Sequence, residues 1–346
     1  MPAATGGAPA AGEKGVEVAA AAGGAETGTE VAGATEAVTA APVSPQPPAL
    51  SEEVAAAIGD ATPTFVPWRY GVVSLGLMGG SFAKAFHAAG HEVYAWNRTH
   101  ATTELAQIEV IDGELTDEVI PTCELIVLAG YPQSVVDWLT AKADLVSPGA
   151  IVIDTVGVKR TICAECEALV SGRPFAFVGC HPMAGTQFSG FAHSRATMFK
   201  GAPLVVVPPD IDEFVRLDVL ERLQQLLEPC GFGSFTLATA EQHDRMIAYT
   251  SQLAHVVSNA YVKSPAAQTH KGFSAGSYKD LTRVARLNAP MWTELFLDNG
   301  DFLSDEIGSL IEHLQAYKDA IDAGDATTLE ALLAEGDRLK REAERR

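Results

Sequence analysis

Short apolar runs separated by amphipathic stretches dominate the first two thirds of the chain. Six of them have the length and composition of buried strands, at residues 70–73, 93–96, 125–128, 151–153, 175–179 and 204–207. Strands that are apolar on both faces and separated by helical stretches are typical of parallel sheets with crossover helices. The pattern therefore predicts an α/β fold with a doubly wound parallel sheet.

The pattern becomes helical after Pro208-Pro209. An amphipathic helix is predicted first, with one apolar face and an end at Gly231; that face carries Phe214, Leu217, Leu220, Leu223 and Leu227. Everything from about Ala240 onward has helical periodicity, and the last two helices are expected near residues 304–323 and 327–345. The predicted organisation is a sheet domain over residues 66–239 followed by an all-helical C-terminal domain over residues 240–346.

Residues 1–65 differ in composition from the rest of the chain. They include 20 alanines, eight acidic residues, one basic residue and one aromatic residue. Such a segment cannot bury enough apolar surface to offset chain entropy, and it has neither the apolar core of a secretory signal nor the arginines of a transit peptide. We expect a disordered acidic tail.

Charge and cysteine content narrow the function classes. The formal net charge is −20, so we expect no nucleic-acid partner and no anionic membrane surface as partner. No stretch approaches the roughly 20 apolar residues of a membrane span. The five cysteines are an odd number in a chain too long to need disulfides, which favours a cytoplasmic location.

A glycine-rich turn follows the first predicted strand and leads into a helix. Gly76, Leu77, Met78 and Gly79 fit a dinucleotide fingerprint of the Rossmann type, in which Gly76 lets the pyrophosphate approach the backbone and Gly79 lets the helix pack close to the strand. The first glycine of that fingerprint is Ser74 here. The alternative is that these glycines merely close a turn.

The end of the second strand bears on the choice of cofactor. Asn97, Arg98 and Thr99 stand where an acid would normally hold the ribose hydroxyls of NAD, and a guanidinium suits a 2′-phosphate. NADP is therefore modestly favoured over NAD, although Arg98 could instead be a solvated residue beside a bound NAD. Gly76, Asn97, Gly130, Asp154 and His181 are all expected at the carboxyl edge of the sheet, where ligands bind.

A histidine follows the fifth strand directly. His181 lies in a loop of small residues beside the expected nicotinamide position, where a base could accept a hydroxyl proton as hydride leaves the same carbon. A strand-end histidine is otherwise more often structural. No metal is expected, because the nine histidines form no metal-binding motif, and Cys163 and Cys166 have redox-motif spacing without the matching context.

Two groups of polar residues stand out in the helical part. His255 and Asn259 share one helix face, and Arg283 is a candidate fork for a substrate carboxylate, with Asp280 orienting it or capping its helix. The alternative is a core histidine and an exposed ion pair. Trp292 is close enough in sequence to line the same cleft.

Four motifs together resemble the prephenate/arogenate dehydrogenase family of tyrosine biosynthesis, in the correct order between about residues 68 and 320. They are Leu75-Gly76-Leu77-Met78-Gly79-Gly80-Ser81, His181-Pro182-Met183-Ala184-Gly185-Thr186, Ser251-Gln252-Leu253-Ala254-His255 and Asp280-Leu281-Thr282-Arg283 with Met291-Trp292. The resemblance implies oxidative decarboxylation of prephenate or arogenate with reduction of NAD or NADP. It also implies a homodimer joined through the helical domains.

The resemblance assigns roles to individual positions. His181 matches the catalytic histidine, His255 matches a second active-site histidine, and Arg283 matches the arginine that binds a substrate carboxylate. Thr186 and Gln187 match the loop that borders the substrate. The chain departs from the family pattern at Gly157, where many members have a serine that assists the histidine, at Gln187, where glutamate is common, and at Ser274 and Ser277, which replace glycines.

Two other functions remain as alternatives. A β-hydroxyacid dehydrogenase would share the domain order, but its catalytic lysine four residues before the asparagine is His255 here. A dinucleotide-binding sensor without activity would need neither His181 nor Arg283. The sequence does not decide between prephenate and arogenate.

Overall fold

An eight-stranded sheet and the helices on its two faces make up the first part of the fold. The computed structural model describes residues 66–186 and 188–345. The strands are β1 Arg69–Val73, β2 Glu92–Trp96, β3 Gly113–Glu114, β4 Leu125–Leu128, β5 Ile151–Asp154, β6 Ala176–Pro182, β7 Pro203–Val207 and β8 Ser234–Leu237. The helices of this part are α1 Leu77–Ala88, α2 His100–Glu109, α3 Pro132–Lys142, α4 Arg160–Val170 and α5 Glu213–Leu226. The predicted acidic tail lies outside the described residues.

The sheet has the order β3-β2-β1-β4-β5-β6-β7-β8. Strand order reverses between β1 and β4, and such a switch point is where doubly wound sheets bind ligands. Strands β1 to β6 are all parallel, as predicted, but β7 runs antiparallel to β6. A parallel pair needs a crossover connection, usually a helix. Among the described residues of the connection 183–202, the one helical element is the short 3₁₀ turn Phe191–His193.

The hydrophobic pattern did not predict two of the strands, and the apolar face predicted for one helix is only partly buried. Strand β3 has two residues, and β8 is a largely exposed edge strand, so neither forms an apolar run. Along α5, Leu223 is 1% exposed whereas Phe214 is 82% exposed. The apolar stripe of α5 therefore contacts the core through its C-terminal half only.

Two apolar clusters, one on each face of the sheet, form the core. Leu125 and Val127 of β4 belong to one cluster, and Ile126 and Leu128 belong to the other. This alternation follows from the period of two in a strand and buries β4 on both faces. In the first cluster the Tyr70 ring stacks on Phe86 at 3.8 Å, and the Tyr70 hydroxyl donates to the Leu226 carbonyl at 2.9 Å.

Helices make up the remainder, in agreement with the sequence pattern. They are α6 Ala240–Ile247, α7 Ala254–Tyr261, α8 Gly276–Thr282, α9 Ala289–Asp298, α10 Gly300–Ala323 and α11 Ala326–Glu344. A π-helical segment, Ala248–Leu253, joins α6 to α7. Gly324, in the left-handed conformation, turns α11 back along α10. Within the described ranges, every helix is too short or too polar to cross a membrane.

Candidate active site

The turn between β1 and α1 is tight at one glycine and open at another. A Cβ on Gly79 would lie 1.9 Å from the Ser74 carbonyl oxygen, whereas a Cβ on Gly76 would meet nothing within 4 Å. Leu77 and Met78 open helix α1, where the backbone N–H groups have no intrahelical acceptor. Open space in front of free N–H groups is the arrangement that binds a phosphate.

Ser74 adopts the conformation that the missing first glycine would supply. Its φ is 78°, and its N–H donates to the Trp96 carbonyl oxygen at 2.8 Å. At the end of β4, a Cβ on Gly130 would lie 4.0 Å from the Ser74 Cβ. The predicted nucleotide-binding turn and Gly130 thus lie together at the switch point.

Asn97 holds this turn in place. Its Oδ1 accepts from the Leu75 N–H at 2.9 Å, and its Nδ2 donates to the Thr99 carbonyl oxygen at 3.1 Å. Arg98 and Thr99 are exposed. The Arg98 guanidinium forms no hydrogen bond or ion pair within residues 66–186 and 188–345, so its charge is available to a ligand at the end of β2.

His181 ends β6 at the same edge of the sheet as the glycine turn. Its Nδ1 lies 2.8 Å from Nε2 of His243, and Nδ1 of His243 lies 2.7 Å from Oδ1 of Asp244. His243 and Asp244 are in the first two turns of α6 and are 3% and 0% exposed. The three side chains form one hydrogen-bonded chain that runs from the helical part to the sheet. Hereafter we call it the His181–His243–Asp244 chain.

Asp244 receives donors from the start of α4. The backbone N–H of Lys159 donates to Oδ1 at 2.7 Å, and that of Arg160 donates to Oδ2 at 2.8 Å. Burial raises the pKa of Asp244, but hydrogen bonds from His243 and from these two N–H groups outweigh burial and lower the pKa overall. Asp244 is therefore an ionised, acceptor-only group at the end of the chain.

A second buried carboxylate supports the strand that carries His181. Asp154 lies at the carboxyl end of β5, as expected, but its side chain is 0% exposed. It forms an ion pair with the equally buried Lys159 and accepts from the backbone N–H of Val156 and of Cys180. Asp154 thus fixes the end of β6 instead of meeting a ligand.

The surroundings of His181 favour its neutral form. Burial lowers the pKa of His181 well below its usual range, and the neighbouring His243 and Lys159 lower it further. Burial also lowers the pKa of His243, although its hydrogen bond to Asp244 opposes this. A neutral imidazole can accept a proton at neutral pH.

Helix α9 contacts the surroundings of both predicted histidines. Leu295 of α9 packs over Gly157, whose added Cβ would lie 3.5 Å from Leu295 and 4.0 Å from Cε1 of His181. One turn earlier, the Trp292 ring lies 4.1 Å from the ring of His255. Leu295 and Trp292 share a helix face, so α9 lies beside both histidines.

His255 is oriented by its own helix and lies near Arg283. Its Nδ1 lies 2.8 Å from the Ser251 carbonyl oxygen. Burial lowers the pKa of His255, the Ser251 hydrogen bond raises it, and the Arg283 charge lowers it. Arg283 follows the end of α8 and is exposed. The structure thus brings His255, Trp292 and Arg283 into one neighbourhood.

Asp280 and the loop after His181 contribute less. Asp280 lies exposed inside α8, and no hydrogen bond or ion pair joins it to Arg283, so it neither caps the helix nor orients the arginine. Thr186 is exposed, and its Oγ accepts from the Phe188 N–H at 3.2 Å. Gln187 lies outside the described residues.

Arg160 joins the helical part to the sheet. Its guanidinium donates to Asp301 at 2.8 Å and to Oδ1 of Asn299 at 3.0 Å. Asn299 in turn donates to the carbonyl oxygen of Asp244 and to Oε1 of Gln252, both at 2.8 Å. These bonds hold α6 and α10 against the start of α4.

Sequence reasoning missed His243, Asp244 and Arg160. A signal for the first two existed, since helical periodicity places His243 on the same face as Ile247, which is 6% exposed. A histidine and an aspartate on the buried side of a helix need partners. The partner of His243 is on β6, 62 residues earlier, and Asp244 accepts from the start of α4, 84 and 85 residues earlier. No local pattern reveals such distant partners.

Comparison with known proteins gives two family matches that follow one another along the chain. The family model described as "Prephenate dehydrogenase, nucleotide-binding domain" matches residues 82–233, and the model described as "Prephenate dehydrogenase, dimerization domain" matches residues 239–335. Together they span most of the chain. The interval between the two matches, residues 234–238, contains β8 and ends just before α6.

Individual relatives agree with these matches. The chain is 26% identical over 286 residues to a prephenate dehydrogenase of Lactococcus lactis, covering 79% of this chain and 77% of that protein. It is 25% identical over 269 residues to a cyclohexadienyl dehydrogenase of Zymomonas mobilis, covering 75% and 90%. The crystal structure of Synechocystis arogenate dehydrogenase superposes with a TM-score of 0.65 at 28% identity, covering 79% of this chain and 99% of that one. The chain therefore belongs to the prephenate dehydrogenase family.

Proposed function

We propose that this protein is an NAD(P)-dependent prephenate dehydrogenase in which His181 is the catalytic base. The observation that carries the proposal is the position of His181, a neutral histidine at the same sheet edge as the nucleotide turn. Its Nδ1 is held by His243, and its Nε2 has no hydrogen-bond partner within the described ranges. The names of the relatives support a dehydrogenase that acts on a cyclohexadienol.

The turn at Gly76 suits a dinucleotide. The open space at Gly76, the free N–H groups of α1 and the absence of a side chain at Gly130 leave room for a pyrophosphate at the switch point. Leu77 and Met78 would border it. When bound, the nicotinamide supplies the hydride acceptor.

In this proposal His181 accepts and returns the proton of the substrate hydroxyl, while the substrate loses its ring carboxylate. As the ring carbon bearing the hydroxyl is oxidised, His181 Nε2 takes the hydroxyl proton. The C–C bond to the ring carboxylate then breaks, carbon dioxide leaves, and the electron pair makes the ring aromatic with a phenolate oxygen. His181 returns the proton to that oxygen, so the enzyme regains its starting protonation state.

Arg283, His255 and Trp292 form the substrate side of the site in this proposal. The Arg283 guanidinium binds a substrate carboxylate. His255, with its Nδ1 held by Ser251, presents Nε2 to the substrate, and the Trp292 ring against His255 borders the six-membered ring of the substrate. Thr186, in the loop after His181, borders the substrate in this proposal, and the same role for Gln187 stays a prediction from the resemblance.

Arogenate is the second candidate substrate. It has the same ring as prephenate and differs only in an amino group on the side chain. The similarity to Synechocystis arogenate dehydrogenase and to the Zymomonas mobilis cyclohexadienyl dehydrogenase favours testing it beside prephenate.

For the cofactor, Arg98 favours NADP, because its guanidinium has no ion-pair partner among the residues that the structure describes. Arg98 and Thr99 are exposed and directly follow β2, where a 2′-phosphate would lie. We expect Arg98→Ala to raise the KM for NADP at least tenfold and to change the KM for NAD little. The matched control is Arg222→Ala, which removes the same charge beside Gly149 at the opposite edge of the sheet. An equal effect of both variants on both cofactors would refute the role of Arg98.

We also expect a homodimer in the cytoplasm. The match to a dimerization domain supports it, and Leu297, Ile311 and Leu314 of α9 and α10 are each more than half exposed. Sedimentation velocity of the purified protein tests the dimer. Five cysteines without a disulfide fit a reducing compartment.

The decisive experiment is nicotinamide reduction by the purified protein. NAD and NADP are each supplied with prephenate and then with arogenate, and release of carbon dioxide is measured in parallel. Reduction with equimolar carbon dioxide is the expected result. Failure with both substrates, in protein that binds a nucleotide, would overturn the proposed reaction.

A further inference from the structure

We propose that His243, held by Asp244, is a positioning residue that keeps His181 protonated at Nδ1 and leaves Nε2 as its only proton acceptor. The proposal deepens the proposed function, since it explains how His181 is prepared to act as a base. It depends on three side chains and on two backbone N–H groups at the start of α4. The direction of each hydrogen bond in the His181–His243–Asp244 chain follows from the one before it.

The first step is the state of Asp244. An ionised carboxylate only accepts hydrogen bonds, and Asp244 already accepts from the N–H groups of Lys159 and Arg160. Nδ1 of His243, at 2.7 Å from Oδ1, must therefore be a donor. This fixes the proton of His243 on Nδ1.

The second step is that the tautomer of His243 determines the tautomer of His181. Burial keeps His243 neutral, so its Nε2 carries a lone pair and can only accept. The atom 2.8 Å away, Nδ1 of His181, must then donate. A neutral His181 with its proton on Nδ1 has a lone pair on Nε2. The opposite tautomer would place two lone pairs against each other at 2.8 Å.

The third step concerns the charged form of His181. When Nε2 takes a proton, the Nδ1–H bond to His243 remains, and the Asp244 carboxylate lies one ring further away. This negative charge offsets part of the opposition from the buried Lys159 ammonium. The His181–His243–Asp244 chain therefore orients neutral His181 and also stabilises its protonated form.

Gly157 makes His243 more important in this protein. It stands beside Cε1 of His181 and has no side chain to offer. Among the described residues, the one hydrogen bond made by the His181 ring is that to His243. Losing His243 would leave the buried Nδ1 without a partner and remove the preference for one tautomer.

The experiment measures the tautomer directly. Protein labelled with ¹⁵N-histidine is recorded in long-range ¹H–¹⁵N spectra, and His181 is assigned by the signals lost in His181→Asn. In the wild-type protein at neutral pH, we expect Nδ1 to carry the proton and Nε2 to carry the lone pair. His255 is an internal reference, because its Nδ1 is bound to the Ser251 carbonyl oxygen and must be protonated in every variant. A wild-type spectrum with His181 protonated at Nε2 would overturn the proposal without any variant.

Two substitutions separate positioning from packing. His243→Gln places an amide oxygen where Nε2 was, so it still accepts from His181, whereas His243→Phe fills similar space without an acceptor. We expect His243→Phe to mix the tautomers of His181 and to lower kcat by roughly 100-fold or more with a nearly unchanged KM. We expect His243→Gln to retain the wild-type tautomer and most of kcat.

Equal loss of activity in both variants with an unchanged tautomer would reduce His243 to a packing role. A mixed tautomer with full activity would support the positioning and contradict His181 as the base. The failure of the proposed function is therefore distinguishable from the failure of this inference.

Discussion

Two substitutions in the turn after β1, Gly79→Ala and Gly76→Ala, test whether Gly79 is needed for stability and Gly76 for nucleotide binding. A Cβ on Gly79 would lie 1.9 Å from the Ser74 carbonyl oxygen and 3.1 Å from the Cβ of Ala129. The first distance is about 1 Å shorter than real Cβ contacts. The neighbouring backbone cannot yield easily, because Ser74 is already held in the left-handed region by its bond to Trp96.

The expected magnitude follows from these contacts. Overpacking a tight site costs about 1–3 kcal/mol or more, and the better helix propensity of alanine returns up to about 1 kcal/mol. We expect Gly79→Ala to lower the free energy of unfolding by about 2 kcal/mol, which corresponds to a fall in Tm of roughly 4–8 °C. Gly76 meets nothing within 4 Å, so Gly76→Ala should cost about 1 kcal/mol or less, as the loss of a glycine N-cap.

The binding measurement is expected to separate the two variants. The methyl group of Gly76→Ala would occupy the space proposed for the pyrophosphate, so we expect nucleotide affinity to fall roughly tenfold or more, or about 1.4 kcal/mol. Thermal unfolding of the nucleotide-free protein and calorimetric titration with NAD and NADP measure the two effects. An unchanged Tm for Gly79→Ala, or wild-type affinity for Gly76→Ala, would refute the corresponding half of the reasoning.

The buried and paired groups lead to four further predictions. Because burial lowers the pKa of His181, the acidic limb of the pH profile of kcat/KM should lie below pH ~6.5, the pKa of an unperturbed imidazole. An acidic limb above this pH would contradict His181 as the base. His181→Asn should lower kcat by roughly 10²–10⁴-fold. The pKa of His243 is lowered as well, so below pH ~6.5 the unfolded chain binds more protons than the folded protein does. The free energy of unfolding, measured in urea, should therefore fall as the pH drops from 7 to 5. Equal stability at both pH values would contradict burial of the neutral rings. Asp301→Asn removes the exposed ion-pair partner of Arg160 and should lower the free energy of unfolding by at most about 1 kcal/mol, and by less in high salt. A loss of stability that does not depend on salt would argue against an ion pair. All five cysteines are buried, and burial raises the pKa of Cys163 to about 12. The native protein should therefore react with a thiol reagent far more slowly than the urea-unfolded protein does. A rapid reaction of the native protein would show an accessible thiolate.

The sequence predicted the sheet well where strands are buried. Each of the six apolar runs is a strand, because a parallel strand covered on both faces must be apolar throughout. It failed for β8, an exposed edge strand. It also failed for the direction of β7, because the connection from β6 has no crossover α-helix among its described residues. Both features depend on neighbours in the fold more than on the residues of the strand.

The candidate site shows the same division. Local motifs indicated the glycine turn, His181 and Arg283, since each lies at the end of a predicted element. The same reasoning did not show that the Asp154 side chain is buried, because a polar residue at a strand end can point into the core as well as out of it. It could not find His243, whose partner lies 62 residues away on another element.

The His181–His243–Asp244 chain has a consequence for how this protein can be recombined. The proposed base belongs to the sheet, but the two groups that prepare it belong to α6, beyond the boundary between the two family matches. A chimera that exchanges everything after residue 239 for the helices of a relative would receive a new partner for His181 together with new substrate contacts. Such hybrids should work only when the donor supplies an equivalent histidine and aspartate. The natural unit of exchange is therefore the sheet together with α6, and a cut after residue 253, beyond the π-helical segment, is the better junction for an engineered hybrid.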